Sequence, residues 1–376
     1  MSSSSSAASS NGTIRRTKIL FLGMRRSGKT SILQVLFDDL PVKQTFYLEP
    51  TMRVAKHFID TVIPLEIWDC PGNITVDTLG ASLADFSTIV FVIDIRDLYQ
   101  HPVSKLVEFI VAACQINPDI NFEVFVHKAE RLQEDDKIEN FRQIHERVMD
   151  RLIDESPEFE QFPLNFHLTS IYDHSLREAI SRVLHKLIDS LPFLEELLNV
   201  FCSNTASPKA FLFDTLSKIH VATDTSPVDK ATHNLCCDYL SMLNSFGPLY
   251  RSNSNDPHAS RISPTPAPAP TPPPTATTST PTSGITPSGT PPLTSSTSPV
   301  PFSKPHFYPS AATSLSPSRP GTTLTYHLVT PHLALLALLP TTVYELRRGL
   351  VEWNVVWFRE GVREIWESGL RGGSES

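Results

Sequence analysis

Two kinds of apolar pattern alternate along the first half of the chain. Short unbroken apolar runs at residues 18–22 (KILFL), 88–94 (TIVFVID), 122–126 and 163–168 have the length of strands buried on both faces. Between them, apolar residues recur at helical spacing: Ile32, Leu33, Leu36 and Phe37, then the stretch 103–115, then Ile138, Phe141, Ile144, Val148 and Leu152, then 175–190. Two further runs, 53–59 and 62–68, are joined by Asp60-Thr61 and read as a strand pair. Strands alternating with helices over 18–190 predict an α/β domain, a doubly wound and mostly parallel sheet.

Past residue 190 the pattern changes. A helix is expected at 191–202, strand-like residues at Phe211, Phe213, Ile219 and Val221, and a helix at 229–243. After a long gap, Leu324, Tyr326 and Leu328 alternate, 332–339 reads as a buried strand, and 344–366 reads as a helix with Leu346, Leu350, Trp353 and Trp357 on one face. This predicts a second, α+β domain. The gap, 251–320, is Pro, Ser and Thr around PTPAPAPTPPPTATTSTPTS. Proline has no N–H donor, and so few apolar residues cannot offset ordering entropy, so a disordered insertion is expected. The expected organisation is a tail at 1–16, an α/β domain at 17–190, a second domain at 191–250 and 321–368, the insertion at 251–320, and a tail at 369–376.

Composition changes this picture in three ways. The net charge of −8 supplies no basic field for a polyanion, so nucleic acid is not an expected partner. Five scattered cysteines without a C-x-x-C pair suggest neither zinc nor a disulfide framework, and fit a reducing, cytoplasmic setting. The Ser/Ala-rich start lacks the apolar core of a signal peptide, the last residues carry no prenylatable cysteine, and the apolar stretch 333–339 is too short for a bilayer. Membrane attachment is expected only through partners.

The candidate chemistry lies where strands end. Gly23-Met24-Arg25-Arg26-Ser27-Gly28-Lys29-Thr30 stands between the first strand and the first helix and matches G-x-x-x-x-G-K-[ST]. Successive backbone N–H groups and a helix N-terminus make a phosphate cradle, Lys29 is placed for the β and γ phosphates, and the Thr30 hydroxyl for Mg2+. Thr45 and Thr51 lie in the following polar segment, where a threonine can sense a γ-phosphate. Pro50 stiffens that segment. Asp69-Cys70-Pro71-Gly72 ends the next strand; Asp69 is a Mg2+ candidate and Gly72 a γ-phosphate contact. Asn73 follows where a water-orienting glutamine is usual, its amide one methylene shorter, so slow or partner-dependent hydrolysis is expected. His127-Lys128-Ala129-Glu130 ends another strand, at the place of an N-K-x-D motif whose acid would accept from a guanine base. Thr169-Ser170-Ile171 ends the last.

GMRRSGKTS, WDCPG, NFEVFVHKAE and HLTSIYDHS, with the later runs KAFLFDTLSKIHVATD, SPVD and LCCD, resemble the Rag-type (Gtr-like) small GTPases, specifically the C/D-like subunit. The resemblance covers nearly the whole chain outside the insertion. It implies a P-loop Ras-like GTPase domain followed by a roadblock/longin-like domain, with GTP/GDP and Mg2+ as cofactors. It places Arg26, Ser27, Gly28, Lys29, Thr30 and Ser31 at phosphates, Thr45 and Thr51 as switch residues, Thr30, Thr51 and Asp69 at the metal, and His127, Lys128, Glu130, Ser170 and Ile171 around the base. Lys29 and Asn73 would be the catalytic positions. The implied partners are an A/B-like Rag GTPase, held as a heterodimer through the C-terminal domain, a lipidated scaffold complex (Ragulator/EGO-like), the TORC1 kinase and a GTPase-activating protein. The implied location is cytoplasmic, peripheral on the vacuolar or lysosomal membrane. Two other readings stay open here: a P-loop ATPase or kinase, and a nucleotide-bound scaffold that does not hydrolyse.

Overall fold

The computed structural model describes residues 16–61, 63–97, 100–246, 308–315 and 321–372. The expected tails, apart from the helical residues up to 372, and the Pro-rich core of the insertion lie outside them. Six strands form the first sheet: β1 (Thr17–Gly23), β2 (Ala55–Asp60), β3 (Pro64–Asp69), β4 (Thr88–Asp94), β5 (Asn121–His127) and β6 (Leu164–Thr169). Their order is β2-β3-β1-β4-β5-β6, parallel throughout except for β2, which pairs antiparallel with β3 at the edge.

The apolar runs are continuous because both faces of this sheet are covered. Ile19, Phe21, Val90 and Val92 pack under α1 (Lys29–Phe37) and α4 (Ser175–His185). Leu20, Leu22, Ile89, Phe91 and Ile93 pack on the other side with α2 (Gln100–Ile116) and α3 (Glu134–Glu155). β2, by contrast, alternates between half-buried and exposed positions, as an edge strand with one wet face does. The consequence for function is geometric: β1, β3, β4, β5 and β6 all deliver their carboxyl ends to one rim.

The second sheet contains β7 (Lys209–Asp214), β8 (His220–Thr223), β9 (Ser310–Ser314), β10 (Thr322–Leu328) and β11 (Leu333–Pro340), antiparallel in the order β8-β7-β11-β10-β9. One face carries α5 (Leu191–Thr205) and α8 (Arg348–Gly372), through Leu198, Phe201, Val355 and Phe358 against Leu212 and Leu335. The other carries α6 (Lys230–Phe246), through Cys236, Cys237 and Leu240 against Phe211, Phe213 and Leu336. The cluster under α1 and α4 runs on without a break into α5 and α8, so the boundary expected at residue 190 falls inside a shared core and the two sheets belong to one compact unit. Among the described residues no helix is long and apolar enough to cross a membrane.

Two expectations are corrected. Residues 308–315, assigned to the disordered insertion, include β9, whose proline-free Ser-Ala-Ala-Thr-Ser pairs with β10 from Ser310 to Ser314. The expected helix at 344–366 is two helices, α7 (Thr341–Leu346) and α8, separated at Arg347, whose φ of −127° and ψ of 32° leave the helical region. The face that carries Leu346, Leu350, Trp353 and Trp357 points outward, with Leu346 83% and Trp353 63% exposed, and the packed stripe is Val351, Val355, Phe358 and Val362.

Candidate functional site

Three glycines allow the rim loops to touch. A Cβ on Gly23 would lie 2.3 Å from the Val92 carbonyl oxygen, one on Gly28 2.6 Å from His127 Cδ2, and one on Gly72 2.3 Å from the Arg25 nitrogen. Gly23 and Gly28 also take φ of 140° and 114°, which side chains disfavour. The loop after β1 therefore closes directly onto the ends of β4 and β5 and onto the turn after β3. They enclose a cavity of about 520 Å³.

Of the residues singled out from sequence, Arg26, Gly28, Lys29, Thr30, Ser31, Thr45, Thr51, Gly72, His127, Lys128, Glu130 and Ile171 line this cavity. Four do not. Ser27 and Asp69 are buried beneath its floor, at 2% and 0% exposure. Ser170 is buried behind Glu130, and Asn73 is exposed in a neighbouring cleft. Arg25, Phe46, Leu48, Glu49, Pro50, Arg131 and Tyr172 line the cavity without having been assigned to it. Each sits within three residues of a residue that was, which is the one signal the chain offered for them.

The floor is where charge concentrates. Lys29 is buried and donates to the carbonyls of Gly23 at 2.9 Å and Met24 at 3.1 Å. Burial lowers its pKa to about 8, against the pull of Asp69 in the other direction. The Asp69 carboxylate accepts from the Thr30 hydroxyl at 2.6 Å and the Thr51 hydroxyl at 3.1 Å through Oδ2, and the two hydroxyls lie 2.6 Å apart. Asp69 Oδ1 and Ser27 Oγ are buried with no hydrogen-bond partner. Three oxygen donors, from the first turn of α1, the end of β3 and the loop before β2, one a buried carboxylate with a free oxygen, suit a small hard cation such as Mg2+. No cluster of three or more His, Cys, Asp or Glu exists among the described residues, so any cation here rests on this mixed set. Thr45 lines the cavity but its hydroxyl donates to Val42 in its own turn at 2.7 Å, and Thr51 is the threonine that reaches the floor.

The opposite end is built for a planar, polar group. His127 is buried, its Nδ1 2.9 Å from the Thr169 hydroxyl, and burial together with Lys128 pushes its pKa down to about 3, so it is neutral. Lys128, at φ 65°, donates to the Arg26 carbonyl and, at 2.9 Å, to Asp94 Oδ2. Burial alone would raise the Asp94 pKa, but hydrogen bonds from Lys128 and Arg96 outweigh it and the net shift is downward. Lys128 thereby ties the phosphate loop to the end of β4. Glu130 Oε2 accepts from the Ser170 hydroxyl at 2.7 Å, and Ser170 in turn accepts from the Tyr172 N–H at 3.1 Å. The Ser170 N–H donates to Ser175 Oγ at 3.0 Å. Ser170 is therefore placed to orient Glu130 rather than to touch a ligand with its own N–H.

The second cleft, about 810 Å³, shares Arg25, Thr51 and Gly72 with the first and adds Asn73, Gln100, His101, Lys105 and Glu108. Lys105, on α2, is buried and donates to the Gly72 carbonyl at 2.8 Å. Helical periodicity marks it only as a polar position in an apolar helix.

A family profile described as the Gtr1/RagA G protein conserved region matches residues 18–240. The GTP-binding protein gtr2 of Schizosaccharomyces pombe is 43% identical over 244 residues, which is 63% of this chain and 76% of that protein. The Ras-related GTP-binding protein C of Homo sapiens is 44% identical over 234 residues, 61% of this chain and 58% of that protein. The GTP-binding protein gtr1 of Schizosaccharomyces pombe is more distant, 24% identical over 227 residues, 58% of this chain and 71% of that protein.

Proposed function

The chain belongs to the Gtr1/RagA family of G proteins, on its C/D-like side, and from that premise we propose that it is a nucleotide switch whose output is binding, with GTP hydrolysis slow or dependent on a partner. The observation that carries the reading is the meeting of Thr30, Thr51 and Asp69 within 2.6 to 3.1 Å beneath Lys29. Thr51 comes from a loop, so its place at the floor would respond to what the floor holds. That dependence is what a γ-phosphate sensor requires.

Thr30, Thr51 and Asp69 would hold Mg2+, which supplies positive charge shared by the β and γ phosphates. Lys29 would exchange its two carbonyl acceptors for phosphate oxygens, and its buried position makes that charge count for more than in water. Backbone N–H groups from Arg26 to Ser31 would cradle the phosphates. Neutral His127 would steady the loop, the Lys128 stem would lie along the base, and Glu130, aimed by Ser170, would accept from guanine donors. Asn73 faces the second cleft, which fits slow intrinsic turnover and a GTPase-activating protein that completes the site there.

The wider reading follows from the family. The chain would pair with an A/B-like Rag GTPase through the roadblock-like C-terminal domain, sit on a vacuolar or lysosomal surface through a lipidated scaffold, and regulate TORC1 in response to amino acids. Relatives of both the gtr1 and the gtr2 type among its matches support such a pairing. A nucleotide-bound scaffold is the second reading, favoured by Asn73 lining the second cleft and not the cavity itself. The ATP-using alternative loses its footing with the family assignment. Mass spectrometry of the nucleotide that co-purifies with the protein tests the core of this reading: GDP or GTP is expected, and ATP or ADP alone would overturn it.

A further inference from the structure

The buried Lys105 is not explained by packing. Its helix, α2, turns Val103, Leu106, Val107, Phe109 and Ile110 into the core, and an apolar side chain at 105 would suit its 8% exposure better than an amine. Burying an ammonium group costs several kcal/mol unless it is well paired. What Lys105 gains is the hydrogen bond to the Gly72 carbonyl. Burial lowers its pKa, while Glu108 and Cys70 act to raise it.

Gly72 is gripped from two sides. Its Cα lies so close to the phosphate loop that a Cβ would meet Arg25 at 2.3 Å, and its carbonyl is held by Lys105 from the other direction. The turn that begins at Asp69, the acceptor of both threonine hydroxyls, is thus fixed at both ends. We propose that Lys105 is a positioning residue that holds the Gly72 turn against the phosphate loop and so sets the preference for GTP over GDP. The inference rests on the guanine-switch reading above. GDP would be held chiefly by the phosphate loop and the base loops, whereas the hydrogen bond of Lys105 goes to Gly72. Only a γ-phosphate would need the Gly72 turn in place.

Dissociation constants for fluorescent GDP and a slowly hydrolysed GTP analogue, measured with Mg2+ on the full chain, test this in the wild type, K105M and K105Q. K105M removes the donor and is expected to weaken the GTP analogue by about tenfold, as for loss of one charge-assisted hydrogen bond, while GDP binding stays within about twofold. K105Q keeps an N–H donor without the charge and is expected to recover most of that loss. Equal weakening of both nucleotides, no change in their ratio, or K105Q falling as far as K105M would overturn the positioning role alone. A wild type that binds neither nucleotide would overturn the switch reading, and the inference with it.

Discussion

The two sheets handle polar groups in opposite ways. In the first, buried titratable groups gather at one rim: Lys29 on α1, Asp69 at the end of β3, Lys105 on α2 and His127 at the end of β5 are all nearly inaccessible and lie at or beneath two adjoining clefts. In the second, buried polar side chains serve the fold's own backbone, as Asp214 does by accepting from the Ser217 backbone at 2.8 Å and hydroxyl at 2.6 Å, and Ser207 by donating to the Leu338 carbonyl at 2.6 Å. Its unusual feature is apolar and outward: Trp353, Trp357 and Leu350 stand exposed on α8. The first sheet is arranged around a cavity. The second holds its own core and leaves its aromatic surface to the outside.

Acid challenges both regions at once and should have the largest effect. His127 in the first sheet and His327 in the second are held neutral by burial, with pKa values lowered to about 3 and about 4. Below the unfolded value near 6.5 the unfolded chain takes up protons that the folded chain refuses, so their stabilisation is complete above that pH and lost as pH falls toward the folded values. By pH 5 each should cost about 2 kcal/mol, visible as a lower urea midpoint than at pH 7.5. An unchanged midpoint would contradict the buried, neutral assignment.

Phe358→Ala separates the regions. Phe358 is fully buried against Phe201, at a ring separation of 6.2 Å, and its truncation should destabilise the fold by about 3–4 kcal/mol. Nucleotide affinity of the fraction that remains folded should not move. Asp69→Ala is the reverse case: guanine-nucleotide affinity in Mg2+ should fall about a hundredfold, by titration calorimetry, because a cation ligand and the anchor of two hydroxyls go together. Ser170→Ala is a milder version, releasing Glu130 and weakening guanine binding about fivefold with no change in the Mg2+ requirement. The smallest effect belongs to Trp353→Ala, within about 0.5 kcal/mol of wild type, since the residue is 63% exposed.

The first sheet was legible because its strands carry continuous apolar runs and its motifs sit at their ends. The second was harder for two physical reasons. β9 is built from small residues that any loop could contain, and only pairing with β10 makes it a strand. α8 carries two apolar stripes, and periodicity alone does not say which is inner; Val351, Val355, Phe358 and Val362 fit the gap against α5 and the sheet. At the site, residue types at the strand ends were readable, whereas Ser170 and Lys105 act on Glu130 and Gly72 across contacts far apart in sequence, at 40 and 33 residues.

The central claim is that the floor formed by Thr30, Thr51 and Asp69 senses a γ-phosphate. Titration of wild type and Thr51→Ala with GDP and a slowly hydrolysed GTP analogue, each with Mg2+ and with chelator, tests it most directly. The account predicts that both nucleotides bind the wild type, and that Thr51→Ala weakens the GTP analogue in Mg2+ by about tenfold while leaving GDP nearly unchanged. Equal loss for both nucleotides, or binding of the GTP analogue indifferent to Mg2+ and to Thr51, would contradict it.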